Sequence, residues 1–180
     1  MRFERVVALR RGDPSVLRVV ETDLPEPAPG EVRIEVLAVP VSRPDVEARY
    51  GHSPFPPGRL PFPPGIPFVP GYAVVGDVDV VGDAVTDVPV GERVAALTVY
   101  GGYAEYVVVD ADDLIPVPAA VDPVDAAPIV LNYLVAYQTL HRSARVEPGD
   151  AVLLVGASGG IGTALLQLGA LADLSTFGIA

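Results

Sequence analysis

The sequence has no cysteine, which excludes disulfides and thiolate-held metal sites. It has no lysine either: all 12 basic residues are arginine, set against 23 acidic ones for a net charge of −11. Such a surface repels phosphate backbones, so no nucleic-acid partner is expected. The acids are spread out (Asp77, Asp79, Asp83, Asp87, then Asp110, Asp112 and Asp113), as solvated loop ends are, rather than gathered into a tail. Histidine is scarce, with His52 and His141 lying far apart in different contexts, so no histidine metal site is expected. No charged-then-apolar leader opens the chain, because Met1-Arg2-Phe3-Glu4-Arg5 runs straight into a strand-like pattern; a cytoplasmic location is the expectation. One uncharged stretch, residues 151–172, has the length of a membrane span, yet five glycines with Ser158, Thr163 and Gln167 interrupt it. No membrane partner is therefore expected.

What is abundant is apolar residues, half of the 180, punctuated by 20 prolines and 18 glycines. That is enough for one domain with a core, or for one domain and part of another. The first ~120 residues read as short strands separated by turn signals at spacings of about 8 to 12 residues, the mark of an all-β unit. Val32, Ile34, Val36 and Ala38 alternate with Glu31, Arg33 and Glu35 after Pro29-Gly30, predicting a half-buried strand. A short helix follows, capped by Ser42 with Asp45 at the capping-box position and stopped at Gly51. The proline-rich residues 53–71 should form no regular structure. Strands are predicted again over 72–81, 93–98, 103–109 and 114–117.

The pattern then changes. From Val124 to Val146, Ile129, Tyr133, Ala136, Tyr137 and Leu140 fall at helical spacing. After Glu147-Pro148-Gly149-Asp150 comes Ala151-Val152-Leu153-Leu154-Val155, an unbroken apolar run that suits a parallel strand buried on both faces. Ile161, Leu165, Leu168 and Leu171 mark one face of the next helix, and Ser175-Thr176-Phe177-Gly178-Ile179 reads as a second strand.

Between the first of these strands and its helix lies Gly156-Ala157-Ser158-Gly159-Gly160-Ile161-Gly162. A pyrophosphate can rest on a helix N-terminus only where the backbone comes close, and that requires residues without bulky side chains. The context, a strand–turn–helix–strand unit of about 30 residues, is the one a dinucleotide fingerprint requires. Ala157 departs from the G-x-G-x-x-G pattern at its first position, and a glycine-rich turn that merely packs helix on sheet is the alternative. No acid follows Phe177-Gly178-Ile179 to hydrogen-bond a ribose 2′-hydroxyl, which favours NADP over NAD.

An all-β domain followed by a dinucleotide fold resembles the medium-chain dehydrogenase/reductase superfamily, and within it the zinc-free, quinone-oxidoreductase-like branch. The segments that carry the resemblance are Pro29-Gly30-Glu31-Val32, Phe68-Val69-Pro70-Gly71-Tyr72 with Val75-Gly76, Val90-Gly91-Glu92-Arg93-Val94, Gly101-Gly102-Tyr103-Ala104-Glu105-Tyr106, Ala136-Tyr137-Gln138 and the glycine turn. It covers almost the whole chain apart from an apparent insertion around Gly58 to Gly65. The resemblance implies a GroES-like β-domain over residues 1–123, then the first β-α-β unit of a Rossmann domain over 124–180. It implies no zinc, since the zinc branch has Gly-His-Glu where this chain has Gly71-Tyr72-Ala73. What it leaves is hydride transfer from NADPH to a quinone or enone, enoyl reduction included. The family places a polar residue near the nicotinamide at the position of Ser42, which also reads as a helix cap. Tyr50 and Tyr72 are candidates for lining the acceptor pocket or donating a proton, with packing as the other role for each; His52 reads as a solvated loop residue. Val135 stands where relatives often carry a hydroxyl.

Family members continue through further nucleotide-domain strands, so the chain is expected to be a fragment with little or no turnover. The alternative is a non-catalytic remnant, a β-domain whose exposed apolar surface around Leu153, Leu165 and Phe177 drives homo-oligomerisation or holds a partner.

Overall fold

The computed structural model describes residues 1–52 and 65–180. They form two compact units, Met1–Pro128 and Ile129–Ala180. The irregular stretch expected over residues 53–71 lies outside the described residues as far as residue 64; past it, Phe68 makes a single bridge to Ala8.

The first unit opens with an antiparallel hairpin, β1 (Arg2–Ala8) and β2 (Leu17–Asp23), whose turn contains a one-turn 3-10 helix capped by the Asp13 side chain. Strand β3 (Glu31–Ala38) leads into helix α1 (Arg43–Tyr50), with Ser42 as N-cap and Gly51 as a left-handed C-cap, as its residues predict. Strands β4 (Ala73–Val81), β5 (Arg93–Leu97), β6 (Tyr106–Asp110) and β7 (Ile115–Pro116) complete a five-stranded antiparallel sheet in the order β6-β3-β4-β5-β7.

One core cluster of this unit joins Val32, Ile34, Val74, Val78, Val94 and Ala96, all sealed from solvent, while Ala73, Val75 and Ala95 between them are buried as well. Burying each such aliphatic side chain stabilises the fold by about 1.5–3 kcal/mol. Strands β3 and β4 approach so closely at Gly76 that a Cβ there would lie 2.1 Å from the Glu35 carbonyl oxygen. A smaller cluster of Ala8, Val16, Ala48 and Phe68 packs α1 against β1.

Two expectations for this unit change. Arg33, placed on the solvent face by alternation, is only 6% exposed. The register of β3 against β4 shifts between Arg33 and Ile34, a bulge that breaks the two-residue period. Arg33 is tolerated inside because its donors are used: Nε reaches Asp79 Oδ2 at 2.6 Å, Nη1 donates to the Pro25 carbonyl at 2.8 Å, and Glu26 lies 3.4 Å away. The strand expected from Tyr103 begins instead at Tyr106, because Tyr103 exchanges its hydrogen bonds with other segments: its N–H donates to the Pro70 carbonyl at 2.9 Å and its carbonyl accepts from Val6 at 2.8 Å.

Helix α2 (Pro123–Tyr137) begins within the first unit and is extended by a π-helical segment, Gln138–Ala144, ending in a left-handed Arg145. In the second unit, β8 (Ala151–Val155), α3 (Gly160–Leu171) and β9 (Ser175–Ile179) form a β-α-β unit, its parallel strands paired from Ala151↔Ser175 to Val155↔Ile179. The expectation of a strand buried on both faces is overturned: Leu154 is buried, but Leu153 is 63% and Val155 82% exposed. Alternation sends these side chains to opposite faces of a two-stranded sheet, and one helix can cover only one face. The inner side of α3 also differs from the leucine face expected. Gly162, Ala164 and Gly169 are buried, whereas Ile161 and Leu171 are exposed. Small residues let the helix sit close, since a Cβ at Gly169 would meet Thr176 Cγ2 at 2.8 Å. Among the described residues no helix is long and apolar enough to cross a membrane.

Candidate functional site

In the first unit, the sequence-predicted residues gather around a carboxylate. Asp45 is buried at the third position of α1, and its Oδ2 accepts from the Ser42 backbone N–H at 2.8 Å and from the Ser42 hydroxyl at 2.6 Å. Its Oδ1 accepts from the Gly71 N–H at 2.9 Å, and the Tyr103 hydroxyl lies 3.4 Å from Oδ2. The helix N-terminus adds its own attraction for this negative charge. Gly71 can deliver its N–H there because it adopts φ +105°, and a Cβ would fall 2.5 Å from the Tyr103 nitrogen. The Thr98 hydroxyl, donating to the Gly71 carbonyl at 2.6 Å, fixes the following peptide, so that Gly71 is held at both its N–H and its C=O.

Tyr72 is buried beside this carboxylate. Burial, and secondarily the Asp45 charge, raises its phenol above the ordinary tyrosine value. Tyr103 is raised further by the same two causes together with its hydrogen bond to Asp45. Both phenols are therefore protonated at neutral pH, able to donate a hydrogen bond and unable to serve as bases. An apolar cleft of about 380 Å³ lies against Tyr103, lined also by Val6, Val39, Val41 and Ala104.

Tyr50 does not join this group. It is 46% exposed, with the Arg49 guanidinium 4.7 Å above its ring and the His52 ring stacked 6.2 Å away. His52 is exposed as expected, its Nδ1 3.4 Å from Glu47 Oε2. Sequence reasoning gave Asp45 only a capping role and passed over Tyr103 as a strand residue. Asp45's position three residues after Ser42 was the available signal; its bond to Gly71 joins distant segments and leaves no periodic trace.

In the second unit, the glycine turn has a division of labour. Gly156 takes φ +77°, and its N–H, like that of Ala157, donates to the Ile179 carbonyl. Ala157 replaces the expected first glycine without strain: its methyl is buried against Gly178, where a second Cβ would come within 2.8 Å. Gly162 is required by packing, because a Cβ there would meet the Gly156 carbonyl oxygen at 2.3 Å. Gly159 is the N-cap of α3 and offers no side-chain acceptor, so the first-turn N–H groups of Gly160, Ile161 and Gly162 are left for a ligand. Ser158 stands in the turn between them. This open, side-chain-poor cradle fits a pyrophosphate. Asn132 closes the approach to Gly160, where a Cβ would meet its Nδ2 at 2.8 Å.

Comparison with known proteins agrees with these two regions. Residues 28–119 match the family model of the alcohol dehydrogenase GroES-like domain. A quinone oxidoreductase from Lama guanicoe is 36% identical over 87% of this chain and 46% of its own length. The crystal structure of the human synaptic vesicle membrane protein VAT-1 homolog-like protein superposes with a TM-score of 0.91 at 31% identity, covering all of this chain and 56% of that one. The quinone oxidoreductase of Thermus thermophilus, solved alone and in complex with NADPH, gives 0.80 at 35% identity over 97% of this chain and 52% of that one. The chain spans about half the length of the curated relatives it matches.

Proposed function

Because the chain belongs to the alcohol dehydrogenase GroES-like family, within the medium-chain dehydrogenase/reductase superfamily, we propose that it serves NADPH-dependent hydride transfer to a quinone or an enone. The observation that carries this reading is the glycine turn, where the missing Cβ of Gly162 brings the first turn of α3 against Gly156. NADPH would supply a hydride at its nicotinamide to an electron-poor carbon. The chain's part is to bind and orient: the N–H groups of Gly160, Ile161 and Gly162 and the hydroxyl of Ser158 hold the pyrophosphate, with Gly156, Ala157 and Gly159, whose N–H donates to the Gly156 carbonyl, setting the turn. The NADPH complex of the Thermus relative supports the phosphorylated nucleotide. The reading is zinc-free, since Tyr72-Ala73 offers no imidazole or carboxylate and the chain has no thiol.

On the acceptor side, Ser42 spends its proton on Asp45 and so presents lone pairs rather than a donor. Tyr72 is the protonated donor of the same group, Tyr103 like Ser42 directs its proton to Asp45, and Tyr50 belongs to the rim. Titration with NADPH, followed by its fluorescence, tests the nucleotide reading. Saturable binding that weakens at least about tenfold in Gly162→Val is the expected result. Equal binding by that variant, or no saturation by the wild type, removes it.

A second reading, a non-catalytic module that associates with itself, is supported by the exposed side chains of Leu153, Val155, Phe177 and Ile179. A monodisperse monomer in light scattering removes that one.

A further inference from the structure

Three cavities of the first unit meet at Arg5. One is the cleft beside Tyr103, which also carries Glu4 and Glu105. A second, of about 420 Å³, carries Asp110 and Asp113. The third, of about 480 Å³, has Arg5 and Tyr100 on its wall with Val7, Ile66, Phe68 and Val69, and no acid among its described lining residues.

Arg5 differs from the other part-buried arginines of this unit. Arg33 and Arg93 reach Asp79 and Asp77, Arg49 donates to the Gly12 carbonyl and Arg11 to the Ala48 carbonyl. The Arg5 Nε is buried and has no hydrogen-bond acceptor among the described residues, and no carboxylate among them pairs with its guanidinium. A buried charged donor without an acceptor is disfavoured. It is all the more unusual in a chain with 23 acids and 12 arginines, where an acidic partner is readily available. Among the described residues its acceptor is therefore missing, and a guanidinium fork matches a carboxylate best. An anion would be repelled by the acids of the first two cavities, which leaves the third. Its aliphatic and aromatic wall suits an apolar body, and its volume falls within the roughly 300–1,000 Å³ of small-molecule sites.

We propose that this third cavity binds a small monocarboxylate with an apolar body, its carboxylate on Arg5 and its hydrocarbon part against Val7, Ile66 and Phe68. Ser42, Tyr50, Tyr72 and the glycine turn contribute nothing to its lining, so the site does not depend on the nucleotide reading.

The test is a titration of the full chain with benzoate and with benzamide, a neutral molecule of the same shape, followed by amide chemical shifts. Benzoate is expected to saturate, with shifts at Val7, Ile66 and Gly101, and to bind at least about tenfold more tightly than benzamide. Arg5→Gln is expected to lose that preference, and Arg5→Lys to keep part of it. Equal affinity for the two probes, no saturation, or shifts confined to the Tyr103 cleft overturns the proposal. So does unchanged benzoate binding in a folded Arg5→Gln chain. If circular dichroism shows that this variant does not fold, the benzoate–benzamide ratio and the shift map on the wild type decide alone.

Discussion

Strand β8 is richer in valine and leucine than β4, four residues of five against five of nine, yet it is β4 that is buried. In β4 every residue from Ala73 to Gly76 is buried, because β3 and β5 flank the strand. In β8 only Leu154 is buried, because β9 is its single partner among the described residues and α3 covers one face. Hydrophobicity sets what a strand can bury. The number of neighbours and layers sets what it does bury. Glycine separates the two units in the same way. At Gly76 it lets strand backbones touch, and at Gly82, just past β4, it lets the chain meet the segment before β3, where a Cβ would fall 1.9 Å from the Ala28 carbonyl oxygen. At Gly156 and Gly162 it shapes a turn that brings the N-terminus of α3, with its first-turn N–H groups, close to the end of β8.

This contrast can be broken most sharply by paired truncations. Ile34→Ala, at a position with no exposure, is expected to lower unfolding free energy by about 3 kcal/mol, whereas Leu153→Ala should change it by no more than about 0.5 kcal/mol. Urea denaturation with both variants reads the difference, and equal effects would show that the outer face of β8 is covered in solution. Next in size is Asp45→Ala, which leaves the Gly71 N–H, the Ser42 N–H and the Tyr103 hydroxyl without their acceptor. A loss of about 2 kcal/mol is expected, localised to the first unit by hydrogen exchange.

A smaller effect should appear with pH. Tyr72 and Tyr103 bind their protons more tightly folded than unfolded, so their contribution is whole below pH 10.0, the ordinary tyrosine value, and is lost as pH rises through their elevated folded values. The first unit should weaken above that pH, and Tyr103→Phe should flatten the decline. Thermal melts across the alkaline range check this, and an identical slope in the variant would assign the decline to other groups. Smallest of all is Val155→Ser, expected within about 0.5 kcal/mol of wild type because the side chain is already in water.

Much of the fold could be read locally. The helix between Ser42 and Gly51, the strands around Ile34, Val74 and Val94, and the strand–turn–helix–strand at Gly156 all follow from periods and punctuation in a short window. What could not be read depends on distant pairing. Arg33 is buried by a bulge against β4, the Leu17–Asp23 strand owes its existence to pairing with β1, and α3 turns its glycines inward because the sheet lies close. The candidate site divides likewise. The glycine turn was legible from composition and context, while the role of Asp45 rests on a hydrogen bond to a glycine brought in by another strand. Tyr50, which the sequence grouped with Ser42 and Tyr72, is separated from them because it closes α1 on the side facing Arg49 and His52.

The strand order β6-β3-β4-β5-β7 has a kinetic consequence. Val32 pairs with Val81 on one side and with Val109 on the other, so β3 must wait for two remote segments before its hydrogen bonds are complete. Closing such loops is paid in chain entropy before any contact rewards it. The parallel pairing of β8 with β9 spans only the helix between them. In stopped-flow refolding of the chain, protection of the β8 and β9 amides should therefore precede protection of β3, and the arrival of β6 on β3 should set the slowest phase.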